Sequence, residues 1–598
     1  MIILGLCGLF HKPSAATIIV DGRLIAAAEE SVFDGENHDL STELTAGIPT
    51  QAIRYCLDQA NVSAHEINIV ALPYETLSLK SKSVQHYLKR HWYAPDHVAD
   101  TIFTRNRSLK AYLNNVNAHL KNLGCDSAIL QYLTIDEATA STFSAAQLCA
   151  VDSPAVILSI NDNKDFVSTC SARFDGLHTE LVSQTAAPDS LGAFYNIASR
   201  YLGINGRRDP DALYLMGSSG NPSQFDVSQL IELTSQGYKL NTEYCNVKGI
   251  RRYHDLSSTF RFSQAFVDWL GPNIKPARNA LNPDLLPLPY PHYAAAFQDL
   301  YETTAEHMIG ALLEKDSTAS SNVILAGNCG YNLGLIQRLS EREDVQQIFA
   351  SNFNYPAGSA VTAAVYAANQ QGIQVQIESD FKGARETPEE KIVQCAANVG
   401  FNFKPNKNIT KKAAELIASG EAIAWMPEQP TIGLRNHGNF TLLFSEQALF
   451  PSKKQKPDRP ESAKALENYG RNQLHYLYTT SEYAQQFAKH PVANTAFVTP
   501  TRIKKKWQST YKRILFREEY CFFCATNMSD KTAHAPKDAS IVNILSELEK
   551  RDHPPVLIGL DIKGEATSQE RDIEKALQTC KALGIRFGFV GCRLIEFN

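Results

Sequence analysis

The sequence predicts an α/β protein in which one strand-rich motif occurs twice and a separate, smaller α/β block follows. Three observations lead there: two runs with the order strands, helix, strand; glycine turns joining those strands; and a polar, charged stretch over 374–410 that divides the chain. In the first run, residues 2–10 and 16–20 are apolar strands, Asp21-Gly22 is a hairpin signal, and 24–28 returns as the next strand. Glu29-Glu30 and a loop to His38 lead into a helix over 49–60 and a strand over 67–72. In the second run, 155–160 and 167–174 are strands, and Asp175-Gly176 marks another hairpin. After a helical insert, a long amphipathic helix over 292–314 precedes a buried strand, 322–327, that delivers Gly327-Asn328 to a helix start. This order opens a ribonuclease-H-like nucleotide-binding half. Two halves in series predict a duplicated actin-like domain over 1–385, closing on nucleotide between its lobes. The block 400–598 is the second α/β domain. Within it, 444–510 is rich in Lys, Pro, Gln and Tyr with little periodicity, which predicts a long, partly helical insertion.

Size and composition fit this organisation. At 598 residues the chain exceeds what one core supports, and 44% hydrophobic with 20% charged residues is ordinary for a globular protein. A net charge of −5 gives no global attraction to nucleic acid or anionic membrane, so any polyanion site is local. The apolar start has no basic region before it and is cut off at His11; it reads as a buried strand rather than a signal peptide. No run approaches the roughly 20 apolar residues of a membrane span. Twelve cysteines without framework spacing fit a reducing, cytoplasmic location. Cys521 and Cys524 lie three apart in an apolar run, where a strand would point them to opposite faces and away from a shared metal.

The most informative stretch is 412–443. A helix pattern ends at Ser419-Gly420, a short strand Ala422-Ile423-Ala424-Trp425 follows, and then a glycine-punctuated loop runs through Gly433-Leu434-Arg435-Asn436-His437-Gly438-Asn439. Backbone N–H groups and a guanidinium in such a loop can converge on phosphate oxygens; a plain β-turn with a surface arginine is the bland alternative.

That loop resembles the arginine-rich signature of the carbamoyltransferase family (antibiotic O-carbamoyltransferases and nodulation protein U relatives). The resemblance continues through Phe10-His11-Lys12-Pro13-Ser14-Ala15-Ala16, Val20-Asp21-Gly22-Arg23-Leu24, Ala28-Glu29-Glu30, Asp189-Ser190-Leu191-Gly192-Ala193-Phe194-Tyr195, Ala326-Gly327-Asn328-Cys329-Gly330-Tyr331-Asn332 and Tyr355-Pro356-Ala357-Gly358-Ser359-Ala360. It implies a second domain similar to threonylcarbamoyl-adenylate synthases, which would make carbamoyl adenylate from carbamoyl phosphate and ATP. The first domain would hold that adenylate with a metal and pass the carbamoyl group to a small-molecule hydroxyl. By the same resemblance, His11 faces the transfer site; Ser14, Asp165, Gly327 and Asn332 bind nucleotide; and Arg435, Gly438, Asn439 and Arg517 bind carbamoyl phosphate. A lone histidine after a strand is also a common structural element, and His38 fits the pattern in the same ambiguous way.

The chain departs from the family where the chemistry lies. The family's metal helix, H-x-x-x-H, is matched by 133–141, so Leu133 and Glu137 stand at the histidine positions, and Ser359 replaces a later aspartate. Leucine cannot ligate, and one carboxylate with a serine makes a poor transition-metal site, so no metal is expected. The glycines of the second phosphate turn give way to Asn161-Asp162-Asn163-Lys164-Asp165, and the family's lysine is Tyr214. Gln429, Thr431, Phe440 and Cys521 replace charged signature residues. Each lost cation at a phosphate removes about 1.5–3 kcal/mol of charge-assisted bonding. Seven basic residues between Arg502 and Arg517, Lys504-Lys505-Lys506 among them, either compensate at the anion site or form a solvated basic face.

The resulting expectation is a divergent family member of specialised-metabolite biosynthesis that has lost metal-dependent transfer. It would serve as a non-catalytic or altered-chemistry partner, as a homo-oligomer or with an intact paralogue, without nucleic acid or membrane. The alternative is an active ATP- and carbamoyl-phosphate-dependent carbamoyltransferase acting on a hydroxyl or amine. ATP with magnesium is the cofactor that either a surviving transferase or a nucleotide-binding relic would take.

Overall fold

The computed structural model describes residues 1–9, 14–34, 47–93, 95–125, 130–162, 166–203, 211–235, 237–247, 260–271, 289–314, 322–351, 353–354, 358–377, 389–405, 408–426, 441–449, 465–466, 475–488, 499–511, 520–526, 539–561, 569–590 and 593–596. The chain forms two compact units, one comprising 1–30 and 38–377, the other 31–37 and 378–598.

The first unit is built on two five-stranded sheets with the same plan. In the first sheet, β1 (Ile2–Cys7), β2 (Ala15–Val20), β3 (Arg23–Glu29), β4 (Ile69–Leu72) and β5 (Gln131–Thr134) lie in the order β3-β2-β1-β4-β5. The hairpins β1–β2 and β2–β3 are antiparallel; β1–β4 and β4–β5 are parallel. Asp21 and Gly22 turn the second hairpin with φ of 48° and 79°, which their small side chains permit. In the second sheet, β6 (Ala155–Ile160), β7 (Val167–Phe174) and β8 (Thr179–Ala186) repeat the antiparallel run. Parallel pairing of β6 with β9 (Asn322–Ala326) and of β9 with β10 (Gln347–Ala350) completes the same order. Strand β6 is buried throughout and β1 from its second residue on, as strands covered on both faces must be.

Helices cover these sheets. Between β3 and β4 lies a helix, Thr50–Ala60, whose apolar face carries Ala52, Ile53 and Cys56 into the core. Glu30 caps it: its carboxylate accepts the Thr50 hydroxyl at 3.0 Å and the N–H groups of Gln51 and Ala52 at 2.9 Å. Glu30 is thereby a helix-start device, while Glu29 ends β3. A helix over Glu137–Leu148 packs Ala145 and Ala146 against Ile157, Ala172 and Ile324. A second alanine-rich helix, Ser359–Gln370, lies so close to β1 that a methyl group on Gly5 would sit 2.2 Å from the Ala360 carbonyl oxygen. The long helix is present over Tyr290–Leu313.

Two expected elements differ. Residues 133–141 do not form one helix: Leu133 and Thr134 end β5, paired with Ala71 and Leu72, and Asp136 caps a helix starting at Glu137. Parallel pairing to β4 outweighs the local pattern, and the Asp136 cap fixes the helix start. Gly327-Asn328 likewise does not begin a helix; a turn intervenes and Asn332 caps the helix Leu333–Ser340.

The second unit holds a nine-stranded mixed sheet whose central strands include Ile423–Met426, Thr441–Phe444, Val556–Asp561 and His475–Thr480. Its core gathers Ala424, Leu442, Phe444, Leu477, Ile558 and Leu577. The stretch 444–510 contributes strands as well as helices: His475–Thr480 pairs with Val556–Asp561 on one side and with Tyr520–Thr526 on the other. Cys521 and Cys524 fall on Tyr520–Thr526, a strand as expected.

Candidate functional site

In sheets of this plan, ligands meet the protein beyond the carboxyl ends of the parallel strands. At the end of β6, the turn residues Asn161 and Asp162 are 1% and 4% exposed. Facing them is the turn after β9. The Asp162 N–H donates to Asn328 Oδ1 at 2.9 Å, and Asn328 Nδ2 donates back to Asp162 Oδ1 at 2.8 Å. Asn161 Oδ1 accepts the Asn328 N–H at 3.1 Å, and the Cys329 N–H reaches the Ile160 carbonyl at 2.9 Å. Gly327, with φ of 81°, has no room for a side chain: a Cβ would sit 2.4 Å from the Ile160 oxygen. Gly192 closes the same corner, its absent Cβ lying 2.3 Å from the Asn161 oxygen. These residue types therefore lock two turns together and leave their amides satisfied.

Asn332 Oδ1 caps the following helix by accepting the Leu335 N–H at 3.0 Å and also takes a hydrogen bond from Gln298 Nε2 at 2.7 Å. Leu333 N–H is held by Asp211 Oδ1 at 3.1 Å. Tyr214 is 1% exposed and donates its hydroxyl to Gln337 Oε1. Its environment suits a neutral phenol rather than an ammonium group.

At the end of β1, the Gly8 and Leu9 N–H groups both donate to the Tyr74 hydroxyl, at 2.6 and 2.9 Å. Burial, followed by the neighbouring Tyr112 and Cys7, pushes the Tyr74 phenol well above its usual pKa, so it stays neutral. Ser14 is 8% exposed just ahead of β2, and its carbonyl accepts the Glu30 N–H at 2.9 Å.

Asp189 is a buried carboxyl group at 1% exposure. Its Oδ2 meets His86 Nε2 at 2.7 Å, and its Oδ1 accepts Arg90 Nη2 at 3.0 Å and the Leu240 N–H at 2.8 Å. Arg90 Nη2 also reaches the Leu240 carbonyl at 2.6 Å. The Tyr238 hydroxyl, donating to the Asp189 carbonyl, accepts the Leu191 N–H at 2.8 Å and fixes the first turn of the helix Leu191–Tyr201.

Of the sequence-predicted residues, Gly327 and Asn332 lie in one turn and its helix cap, and Ser14 lies in the other half of the unit. Glu137, 3% exposed, and Ser359, 2% exposed, each begin a helix, whereas Leu133 is on a strand. Among the described residues no group of three or more His, Cys, Asp or Glu side chains is arranged to hold a metal ion. His11, His38, Asp165, Arg435, Gly438, Asn439 and Arg517 lie outside the described residues. Lys504, Lys505 and Lys506 are exposed; Lys504 Nζ reaches the Gln485 carbonyl at 2.8 Å, and Trp507 lies tilted against Phe487 with ring centroids 4.5 Å apart. Tyr74, Asn328 and the Asp189 cluster are the site features that sequence reasoning did not assign.

Fold and site together define a mixed α/β protein with facing, internally bonded turns at the ends of repeated sheets. The chain belongs to the carbamoyltransferase family: the model for the carbamoyltransferase N-terminus matches residues 2–365. An uncharacterised protein of Synechocystis is 24% identical over 458 residues, covering 74% of this chain and 70% of the relative. Nodulation protein NolNO of Sinorhizobium fredii is 22% identical over 450 residues, covering 74% of this chain and 59% of the relative's length. A solved structure of a candidate N-acetylglucosamine kinase from Porphyromonas gingivalis aligns over 62% of this chain and 99% of its own, with 11% identity and a TM-score of 0.25, too slight a likeness to carry an argument. Among the described residues no helix is long and apolar enough to cross a membrane.

Proposed function

We propose that this chain is a divergent carbamoyltransferase-family protein of specialised-metabolite biosynthesis that does not run the family's metal-dependent transfer. It acts instead as a non-catalytic or altered-chemistry partner. In this reading 1–385 is a duplicated actin-like domain and 400–598 is a synthase-like domain. The protein works in the cytoplasm, without nucleic acid or membrane, as a homo-oligomer or with an intact paralogue. The nodulation relative supports the biosynthetic setting.

One observation carries the reading. The Asp162 and Asn328 N–H groups, which stand where a phosphate turn would offer bare donors, are taken by Asn328 and Asn161 side chains at 2.9 and 3.1 Å. The same substitution puts a carboxylate into the turn. Phosphate entering here would have to displace satisfied hydrogen bonds and approach a like charge, both unfavourable. The altered metal positions Leu133 and Ser359 point the same way.

Thermal unfolding tests the proposal. With millimolar magnesium-ATP or carbamoyl phosphate, the melting temperature is expected to move by less than a degree. A stabilisation of several degrees signals a surviving ligand site. With carbamoyl phosphate present, such a site would support the active transferase, with Arg435, Arg517 and His11 in its machinery. Affinity purification from the native host is expected to retain another family member.

A further inference from the structure

The two sheets permit a residue-by-residue comparison that assigns a role to Tyr74. In the first half, the fourth strand of the motif, β4, ends at Leu72; in the second, its counterpart β9 ends at Ala326. Tyr74 and Asn328 each lie two residues beyond those ends. The first strands, β1 and β6, end at Cys7 and Ile160, and Leu9 and Asp162 each lie two residues beyond. The Leu9 N–H donates to Tyr74 at 2.9 Å, and the Asp162 N–H donates to Asn328 at 2.9 Å. The same position of the repeat thus caps the same amide in both halves, through unrelated side chains. In each case the acceptor is neutral: a phenol that also takes the Gly8 N–H at 2.6 Å, and a carboxamide.

We propose that Tyr74 and Asn328 are equivalent, specificity-determining residues of the two halves. They fill with neutral oxygen the backbone donors that would otherwise hold a polyphosphate, and so exclude nucleoside triphosphates. This rests on the reading that the turns descend from phosphate-binding turns, and it names what now occupies them. Backbone N–H groups at strand ends bind anions when they converge on open space. Here both sets converge on the protein itself. Tyr74 packs edge-on to Tyr112 at 6.0 Å, so the ring can remain when its hydroxyl is removed.

The test uses the full-length chain and the variants Tyr74→Phe, Asn328→Ala and their combination. Titration calorimetry with magnesium-ATP and, separately, inorganic phosphate reads affinity, and circular dichroism confirms folding. The double variant is expected to bind magnesium-ATP at least about tenfold more tightly than the natural chain. Folded variants with unchanged or weaker affinity overturn the proposal, weaker binding making the two residues ligand contacts. A measurement free of any substitution is amide exchange in peptides covering residues 7–9 and 160–162 of the natural chain. Protection unchanged by ATP is expected, and new protection there overturns the exclusion. Release of AMP by the natural chain when magnesium-ATP and carbamoyl phosphate are both supplied would overturn the proposed loss of transfer. The affinity comparison between variants would still decide the role of Tyr74 and Asn328, so the two failures are distinguishable.

Discussion

Replacing Glu30 with alanine should loosen one helix by a predictable amount. The carboxylate is 5% exposed and accepts from the Thr50 hydroxyl at 3.0 Å, Gln51 N–H at 2.9 Å and Ala52 N–H at 2.9 Å. Gln51 is exposed, so water can replace its bond; Ala52 is 0% exposed and cannot be rehydrated so easily. Loss of the cap costs about 1 kcal/mol, and the orphaned Ala52 amide adds about 1–2 kcal/mol. The sum, about 2–3 kcal/mol, corresponds to roughly 30- to 150-fold faster amide exchange across the helix Thr50–Ala60. Glu30→Gln keeps an acceptor but removes the charge facing the helix start, and about a fivefold acceleration is expected. Exchange mass spectrometry reads this locally, without requiring two-state unfolding of a two-unit chain. Acceleration below about threefold in Glu30→Ala would refute the capping role.

Other perturbations reach the same framework. Asp189→Ala leaves Arg90 and the Leu240 amide without their buried acceptor, and a loss of about 3–5 kcal/mol is expected in urea unfolding, with Asp189→Asn costing less. Gly192→Ala and Gly327→Ala place methyl groups 2.3 and 2.4 Å from backbone oxygens; each should destabilise by at least about 2 kcal/mol, whereas Gly372→Ala, with nothing near, pays only for its positive φ. Burial raises the thiol pKa of Cys56, Cys170 and Cys245, and pushes that of Cys580 up to about 12. Folded thiols therefore keep protons that unfolded thiols, with pKa near 8.5, release. Their contribution to stability is complete below about pH 8.5 and is lost as pH rises toward the folded values, so urea midpoints should fall between pH 8.5 and 10. Native chain at pH 8 should protect these four from alkylation.

Local pattern made the repeated hairpins legible, because buried strands such as 155–160 and Asp-Gly turns carry their own signals. Pairing was less legible. Leu133 resembles a helix residue until β4 claims it, and the strand His475–Thr480 is hidden in a polar, lysine-rich neighbourhood. The Asn332 cap lies five residues beyond the point where the strand's end suggested a helix. At the candidate site, Gly327 was legible as a turn glycine. Tyr74 was not, since its bond to Gly8 spans 66 residues and no spacing announces it. A substitution against the family pattern was visible at Asp162, whereas Asn328 stood among the residues that carry the resemblance. Only the fold pairs their side chains and closes the turn upon itself.

The most direct measurement is pyrophosphate release by the full-length chain given ATP, magnesium and carbamoyl phosphate. The loss of signature cations at Gln429, Phe440 and Cys521 in the second domain predicts no release above that seen without protein. Release that depends on both carbamoyl phosphate and enzyme concentration would contradict the account and make the chain a working member of its family.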